Sequence, residues 1–537
     1  MNNSLFLSCE YYATQSDEQV CGDLGSQVVL IGTIDGQYHL LNSTGEWIWE
    51  KLVEPCRIGD LRDQMIAKFG ANDGRTEQEL FDFLVNLRRA ELIDVLGQSI
   101  TENHPLAVQP RVEESFLNRV ETFFGEWPIY LPWMRFLTST PMSRIRRWAG
   151  RVYRHPTLPV WLQWLLKATV WAWWPYQSWF QARDATREHG PAVLARLGKG
   201  LARQRVEQWW LALCHGVPPA KYYSLGIFLP TRYRQARHYL FDNDRVPLFR
   251  GLTTNQEIGS LDKWSFYVRC RDHGVAAVPP LGVFSGGRYW PLGPDGAWPP
   301  RVDLFIKPIQ GSRGRNAMLW YRQPNGEYRD RQGVRLSALA LLDYLSRLTR
   351  TRGSTKRFGF ERGLLVQQRL CNHPDIVDLS NGEIATIRVV TGWPAENIEN
   401  AEAEPLAALF KMSFGAGIIN NTGIKAIIDW RTGILKECFH SQSVFTPIDC
   451  HPDSGALIAG RVVPYWREVI ELAKRAHHLY SGYPFVGWDI VITATGPLLL
   501  EGNPLLFVEF VQNGEDLAFG LGRFAELVEQ HIGLLSG

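Results

Sequence analysis

Residues 487–503 have the sequence Gly487-Trp-Asp-Ile-Val-Ile-Thr-Ala-Thr-Gly-Pro-Leu-Leu-Leu-Glu-Gly-Asn503. Two short apolar runs flank a Thr-Gly-Pro turn, which is typical of a β-hairpin. Asp489 enters the first predicted strand, whereas Glu501 and Asn503 leave the second and, being two apart, share one side of it. The hairpin therefore predicts a cluster of oxygen-bearing side chains suited to Mg²⁺. Solvated turn residues at the strand ends are the alternative interpretation.

The composition is that of a globular protein with several domains. The chain has 537 residues, of which 45% are hydrophobic and 21% are charged. This length exceeds that of one ordinary domain. Lys and Arg total 57 against 55 Asp and Glu, which leaves a net charge of +2. So small a net charge indicates no polyanionic partner, and we expect no binding to nucleic acid.

The cysteines and the first residues favour a cytoplasmic protein. The eight cysteines are scattered singly, and no pair has the spacing of zinc ligands, so we expect reduced thiols. The segment 1–10 lacks a basic region followed by a long apolar core, so no signal peptide is predicted.

A segment rich in Leu and Trp, residues 158–174, raises the question of membrane contact. Gln163 and Lys167 interrupt it, and it is shorter than the roughly 20 residues that a membrane span needs. We therefore expect a buried or partner-facing helix rather than membrane association. Because Trp also favours membrane surfaces, an interfacial helix stays open, as does the oligomeric state.

The chain divides into three predicted domains of a multidomain α+β protein. Residues 1–98 form a small winged-helix-like unit, 111–250 a helical Trp-rich region, and 251–537 a catalytic domain in which strands alternate with helices. The first unit contains short strands, three helices and a closing strand, predicted over Val28–Gly32, Tyr38–Leu41, Ser43–Leu52, Ile58–Phe69, Thr76–Arg89 and Leu92–Leu96.

A lysine and a glycine-rich loop indicate a phosphate site in the third domain. Lys307 ends a predicted strand, and Gln310-Gly-Ser-Arg-Gly314 follows it. Glycines let backbone N–H groups approach an anion closely. The loop is not a Walker A sequence, and a plain β-turn would also explain it. Lys263, ahead of a predicted helix, is a second candidate phosphate contact.

Two further strands carry polar residues. Residues 364–370 form a buried-type strand that becomes polar at Gln368. In the next strand Arg388 shares a face with Thr386, from which its guanidinium can bind phosphate oxygens. A surface arginine paired with an acid is the alternative.

The order of these features resembles the ATP-grasp superfamily, and in particular its sugar-transfer-associated branch. The resemblance extends over about residues 250–505 and includes several diagnostic segments, namely Asn372-His-Pro-Asp375, Thr386-Ile-Arg-Val-Val-Thr391, His451-Pro-Asp-Ser-Gly455, Pro464-Tyr-Trp-Arg-Glu468 and the hairpin 487–503. The helical segment 215–223 also resembles the part that precedes the grasp in this branch.

The resemblance implies ATP and Mg²⁺ as cofactors and gives each motif a role. Lys263 and Lys307 would contact the α- and β-phosphates, and Arg388 would lie near the γ-phosphate, with Lys307 and Arg388 as catalytic residues. The other implied contacts are the lid residues Gln310, Gly311, Ser312 and Gly314, the adenine border Gln368, Arg369 and Leu370, and the Mg²⁺ ligands Asp489, Glu501 and Asn503. Gln368 departs from the Glu that is frequent in the family.

The N-terminal unit resembles PqqD-like proteins, the modules that bind leader peptides in ribosomal peptide modification. The resemblance rests on residues 36–49, together with Leu84-Val-Asn-Leu87 and Leu92-Ile93. It implies that a leader peptide adds as a strand to a sheet edge. DNA binding is the alternative for a winged-helix shape, but acids in the third predicted helix would repel phosphates.

Together the resemblances imply an ATP-dependent carboxylate ligase that modifies a precursor peptide. An acyl phosphate would form and a nucleophile would displace phosphate, giving an amide, an ester or a thioester. A ligase acting on a cell-envelope saccharide or a small molecule is one alternative, with the N-terminal unit then regulatory. A non-catalytic peptide-binding scaffold is the other.

Overall fold

The structure is a computed structural model. It describes residues 12–15, 19–23, 28–32, 38–41, 43–52, 56–69, 79–84, 87, 93–96, 130–137, 140–153, 158–253, 262–292, 297–310, 316–350, 363–395, 402–415, 424–440, 444–506, 509–512 and 519–536. The chain forms two compact units. The first comprises Met1–Val112, Leu281–Gly311 and Arg315–Val366, and the second comprises Glu113–Pro280, Ser312–Gly314 and Gln367–Gly537. The three predicted domain boundaries stay predictions.

The N-terminal segment contains two three-stranded sheets, ordered β2-β3-β4 and β5-β1-β6, and helices packed on an apolar core. Its elements are β1 Tyr12–Gln15, β2 Gln19–Asp23, β3 Val28–Gly32, β4 Tyr38–Leu41, α1 Ser43–Lys51, β5 Cys56–Arg57, α2 Ile58–Phe69 and β6 Ile93–Leu96. Residues 79–84 are also helical. The predicted strands Val28–Gly32 and Tyr38–Leu41 are confirmed, and they form an antiparallel pair. The sequence analysis missed β1, β2 and β5, whose residues lack a regular apolar alternation.

The middle of the chain is helical, as predicted. Its helices are α3 Met134–Leu137, α4 Pro141–Val152, α5 Val160–Leu197, α6 Leu201–His215, α7 Lys221–Ser224, α8 Pro230–Gln235, α9 Asp242–Leu252 and α10 Lys263–Asp272. A buried ion pair joins two of them, because Arg146 of α4 donates to Asp244 of α9 over 2.8 Å. Arg146 also donates to the carbonyl of His215, the last residue of α6, and to the carbonyl of Tyr239.

The Trp-rich segment lies in α5, which continues through Pro175 and Pro191. Proline in a helix interior normally costs about 3 kcal/mol, so the local sequence alone predicts an end near Pro175. Hydrogen bonds from α6 hold the two helices together beside both prolines. Trp209 donates to the Pro175 carbonyl, and Gln204 donates to the Gly190 carbonyl.

The N-terminal half of α5 places polar residues inside and several aromatic residues outside. Gln163 and Lys167 are each 2% exposed, whereas Trp161 is 69% exposed and Trp164 is 53% exposed. Trp174, by contrast, is buried and donates to the Ala212 carbonyl of α6. Within the described part of the chain, no helix combines the length and the apolar character needed to cross a membrane.

The first large sheet belongs to the first compact unit, except for Pro280 and the last two residues of β13, and has the strand order β12-β11-β10-β9-β13-β7-β8. Its strands are β7 Pro280–Ser285, β8 Arg288–Pro291, β9 Leu304–Pro308, β10 Met318–Arg322, β11 Tyr328–Asp330, β12 Arg335–Leu336 and β13 Leu364–Gln368. One helix, α11 Ala338–Arg350, packs on it through Leu341 and Leu345.

The second large sheet lies in the second compact unit and is antiparallel throughout, in the order β18-β17-β16-β15-β14-β19-β20. Its strands are β14 Thr386–Gly392, β15 Glu404–Met412, β16 Ile424–Ile428, β17 Leu435–His440, β18 Thr446–Pro447, β19 Phe485–Thr493 and β20 Gly496–Asn503. The helices α12 Trp466–His477 and α13 Arg523–Ser536 complete the chain. The predicted α+β class is confirmed.

The two faces of this second sheet differ in chemistry. One face is largely apolar and packs on α12, with Ile387, Phe410 and Ile490 among its buried residues. On the opposite face, Leu409 and Ile427 lie under the middle helices. Lys411 and Lys425 lie on that same face, each two residues from the apolar residue of its own strand. Because side chains alternate along a strand, a single sheet provides both a core and a charged surface.

Candidate functional site

The predicted hairpin forms as β19 and β20, and its register sets the position of the acids. Asp489 lies directly opposite Glu501, and Gly487 lies opposite Asn503. The register shifts after Asp489, since Ile490 pairs with Leu499 and leaves one extra residue in β20. Strict alternation would place Leu499 and Glu501 on the same face. The bulge instead lets Leu499 enter the apolar core while Glu501 joins Asp489 on the charged face.

A glycine separates Glu501 from Asn503 for a steric reason. A Cβ atom at Gly502 would lie 2.6 Å from Cζ3 of Trp488, which occupies the core side of the hairpin. Trp488 is fully buried and donates to Thr391 Oγ1 over 2.8 Å. The indole is thus held in place, and only glycine leaves it room. The order Glu-Gly-Asn follows from this packing.

Asp489 stands at the centre of a group of buried charges. Arg388 of β14 makes a two-pronged contact with it, with Nε 2.8 Å from Oδ1 and Nη2 2.7 Å from Oδ2. Lys411 of β15 donates to Oδ1 over 2.8 Å. Burial alone would raise the pKa of the Asp489 carboxyl, but the charges of Arg388 and Lys411 overcome that effect and hold the pKa well below its usual range.

The charges form a row that crosses five adjacent strands. In the order β20, β19, β14, β15 and β16, the row contains Glu501, Asp489, Arg388, Lys411 and Lys425. Acids lie at one end and lysines at the other. We call these five residues the charged row. Three cations against two carboxylates leave a net charge of +1 when all are ionised, which suits an anionic ligand.

Lys263 adds a further cation near the acidic end. It is the first residue of α10, whose N-cap Asp262 accepts a hydrogen bond from the Ser265 backbone N–H over 2.7 Å. Burial lowers the pKa of the Lys263 ammonium, while the charges of Glu501 and Asp262 act in the opposite direction. The predicted lysine ahead of a helix is therefore brought near the predicted metal ligand Glu501.

The predicted Mg²⁺ ligands have a suitable donor chemistry. Asp489 and Glu501 supply carboxylate oxygens, and Asn503 supplies an amide whose Nδ2 donates to Glu501 Oε1 over 3.2 Å. Among the described residues no group of three or more His, Cys, Asp or Glu side chains is arranged to hold a metal by itself. Two carboxylates and an amide fit a Mg²⁺ ion that takes its other ligands from phosphate oxygens and water.

The predicted adenine border lies where β13 ends. Gln368 is exposed, whereas its neighbour Gln367 is buried and donates to the Val278 carbonyl over 3.0 Å. Arg369 donates to the Gly382 carbonyl, and Leu370 is half-buried. The side chain of Gln368 thus lies at the surface, whereas that of Gln367 lies in the interior. The roles of these residues toward a nucleotide stay predictions.

Lys307, which precedes the predicted phosphate loop, belongs to the first compact unit. Lys307 lies on β9 between buried Ile306 and Pro308, so its half-buried side chain is on the face opposite the core of that sheet. Its Nζ atom lies 5.8 Å from the ring centre of Phe305. Gln310 is half-buried, and the lid predictions for Gly311, Ser312 and Gly314 lie outside the described residues.

The sequence analysis missed Lys411 and Lys425. Each is a single charge flanked by apolar residues, within Leu-Phe-Lys411-Met and Ile-Lys425-Ala-Ile. That isolation was an available signal, because a lone lysine between core residues is expensive to bury without a purpose. The pairing of β15 with β16, which places the two lysines opposite each other, is not encoded locally.

An antiparallel sheet with a buried Asp–Arg–Lys group beside a carboxylate–amide donor set defines the class as ATP-grasp. Residues 261–524 match the family model described as sugar-transfer associated ATP-grasp, and residues 27–93 match the model of coenzyme PQQ synthesis protein D, PqqD. The chain therefore contains a sugar-transfer-associated ATP-grasp domain and an N-terminal PqqD domain, and it is an ATP-dependent ligase.

Solved structures add distant similarities. TbiB1 in complex with the TbiA(beta) leader peptide is 31% identical over 15% of this chain and 94% of its own, with a TM-score of 0.15. D-alanine–D-alanine ligase from Bacillus anthracis is 10% identical over 52% of this chain and 67% of its own, with a TM-score of 0.28. L-amino acid ligase from Bacillus licheniformis is 10% identical over 51% of this chain and 48% of its own, with a TM-score of 0.28. No curated protein matches.

Proposed function

We propose that this ligase modifies a ribosomally made precursor peptide, whose leader binds the PqqD domain while the ATP-grasp domain activates a carboxylate with Mg-ATP. The observation that carries the proposal is the charged row, which ends at Asp489 and Glu501 beside Asn503. Its net positive charge and oxygen donors complement a triphosphate with its metal. The PqqD domain in the same chain favours a peptide as the molecule to be modified.

The proposed reaction gives a role to the metal ligands, to two lysines and to Arg388. Mg²⁺ held by Asp489, Glu501 and Asn503 would offset negative charge on the phosphates. Lys263 and Lys307 would bind phosphate oxygens, and Arg388, fixed by its two-pronged contact with Asp489, would stabilise charge on the transferring phosphoryl group. Because Asp489 holds Arg388 before any ligand arrives, little reorganisation is needed at the moment of transfer.

The activated carboxyl is an acyl phosphate, which a nucleophile then attacks to form an amide, an ester or a thioester. An acyl phosphate hydrolyses readily, so the site must exclude water. The glycine-containing segment 310–314 is the proposed lid for this purpose. The leader would add as a strand to an edge of an N-terminal sheet and so hold the rest of the precursor near the site.

The test uses the full chain with Mg-ATP and the candidate precursor peptide. We expect ADP release that depends on the peptide, together with a change in peptide mass. The variant Glu501→Gln keeps the shape of the side chain and removes its charge, so turnover should fall while leader binding stays unchanged. Glu471→Gln is the matched control, because Glu471 is an exposed acid of α12 paired with Lys474. No ADP release and an unchanged peptide mass would contradict the proposal.

A saccharide or a small acid of the cell envelope is the second candidate substrate, since the family model itself is named for sugar transfer. The PqqD domain would then regulate the ligase. ADP release that depends on the small molecule and is indifferent to any precursor peptide would favour this candidate over the first.

A further inference from the structure

Lys425 extends the charged row beyond the residues that a metal and a triphosphate require. It is the second residue of β16 and lies opposite Lys411. Its neighbours Ile424 and Ala426 enter the apolar core, which places Lys425 on the charged face with Arg388 and Asp489. The residue is only 4% exposed. A lysine is thus buried at the basic end of the row.

The surroundings of Lys425 favour an anion at this end. Lys411 lies in the neighbouring strand and is itself bound to Asp489 over 2.8 Å. Burial, together with the charge of Lys411, lowers the pKa of the Lys425 ammonium to about 7. Two lysines brought side by side in a protein interior repel each other, and a bound anion would relieve that repulsion.

The geometry of phosphoryl transfer assigns a position to this anion. The attacking and leaving oxygens lie roughly in line on opposite sides of the transferred group. With the metal ligands Asp489 and Glu501 at the acidic end and Arg388 in the middle of the row, the attacking oxygen belongs at the end formed by Lys411 and Lys425. This reasoning rests on the proposed function.

We propose that Lys425 binds the carboxylate of the acid that is phosphorylated, and thereby forms the acceptor subsite of the ligase. In the step itself, a carboxylate oxygen bonds to the γ-phosphorus as the bond from that phosphorus to the bridging oxygen of ADP breaks. The electron pair of the broken bond stays on that oxygen of ADP, which leaves with the negative charge. The ammonium of Lys425 orients the carboxylate and keeps it close to the γ-phosphate against charge repulsion.

The test uses two small phosphonates with the protein saturated with Mg-ADP. Phosphonoacetate joins a carboxylate to a group that stands in for the transferred phosphoryl, whereas methylphosphonate lacks the carboxylate. We expect wild-type protein to bind phosphonoacetate about tenfold more tightly than methylphosphonate in titration calorimetry, since a charge-assisted hydrogen bond is made to only one of them.

Variants assign this preference to Lys425. Lys425→Met should abolish the preference, which is the ratio of two affinities measured on the same variant, whereas Lys425→Arg, which keeps the charge, should retain most of it. Lys436→Met is the matched control, because Lys436 is an exposed lysine of β17 paired with Asp429. Wild-type protein without the preference, or a Lys425→Met variant that keeps it, would overturn the acceptor subsite. Failure of the wild type to bind Mg-ADP would instead refute the proposed function.

Discussion

Replacing Lys425 by Met is expected to stabilise the folded sheet in a pH-dependent manner. In the unfolded chain the lysine has its ordinary pKa of 10.5, and in the folded protein burial and Lys411 lower that pKa to about 7. Between these two values the unfolded chain binds more protons than the folded protein. The free energy of unfolding of the wild type therefore rises with pH across this window, and Met removes that dependence.

The magnitude follows from the displacement of the pKa. The difference between 10.5 and about 7 is about 3.5 pKa units, and each unit corresponds to about 1.4 kcal/mol. Below about pH 7 the buried charge thus costs about 5 kcal/mol, and by about pH 9 the cost has fallen to about 2 kcal/mol. The stability advantage of Lys425→Met should accordingly shrink by about 3 kcal/mol between about pH 6 and about pH 9.

Hydrogen exchange followed by mass spectrometry measures this locally. Peptides that cover β15 and β16 report the free energy of opening of the sheet around Lys425, and the intrinsic pH dependence of exchange cancels between wild type and variant. Lys436→Met serves as control, because an exposed lysine paired over 3.1 Å with Asp429 should change stability by less than about 1 kcal/mol at either pH.

Two results would refute the reasoning. If the wild type and Lys425→Met differ by the same amount at both pH values, Lys425 keeps its ordinary pKa in the folded protein. If the variant is less stable than the wild type at the lower pH, the ammonium makes interactions that outweigh its burial.

Three further predictions concern buried contacts. Asp489→Ala leaves Arg388 and Lys411 buried without their shared carboxylate, so the free energy of unfolding of the sheet should fall by about 3–5 kcal/mol, and turnover should be lost. Glu471→Ala, at an exposed acid of α12, is the control, and equal losses for both variants in urea unfolding would contradict the prediction. Gly502→Ala brings a Cβ to within 2.6 Å of Trp488, so it should lower the free energy of unfolding by about 1–3 kcal/mol and displace Glu501. Gly522→Ala, whose Cβ meets open space, should be neutral. A Gly502→Ala protein as stable and active as the wild type would contradict the packing argument. Arg146→Met leaves Asp244 buried without its ion-pair partner and should lower the free energy of unfolding by about 3–5 kcal/mol in thermal or urea unfolding. Arg144→Met, whose partner Glu529 is exposed, should lower it by less than about 1 kcal/mol. Similar values for both variants would show that the buried pair does not hold α4 to α9.

Much of the local structure could be predicted because it depends on neighbours along the chain. The hairpin of β19 and β20, the helix Ile58–Phe69 and the strand that carries Arg388 all follow from apolar periodicity and turn residues. The continuation of α5 through Pro175 could not be predicted. There α5 packs against α6, and the hydrogen bond from Trp209 to the Pro175 carbonyl joins residues 34 apart in sequence.

The sequence by itself determined which residue types are available at each strand of the site. Asp489, Glu501 and Asn503 are recognisable as oxygen donors, and Arg388 as a candidate phosphate ligand, from spacing of two along extended strands. The resemblance to ATP-grasp and PqqD proteins follows from the same residues and is confirmed by the family models.

The tertiary structure decided which of these residues meet. Antiparallel pairing between strands as distant as β14 and β19 places Arg388 opposite Asp489 and sets Lys411 beside both. The bulge in β20 turns Glu501 onto the same face, and the pairing of β15 with β16 adds Lys425. The physical reason is that strand register and burial arise from packing over the whole sheet, whereas the local sequence determines only the alternation of side chains along each strand.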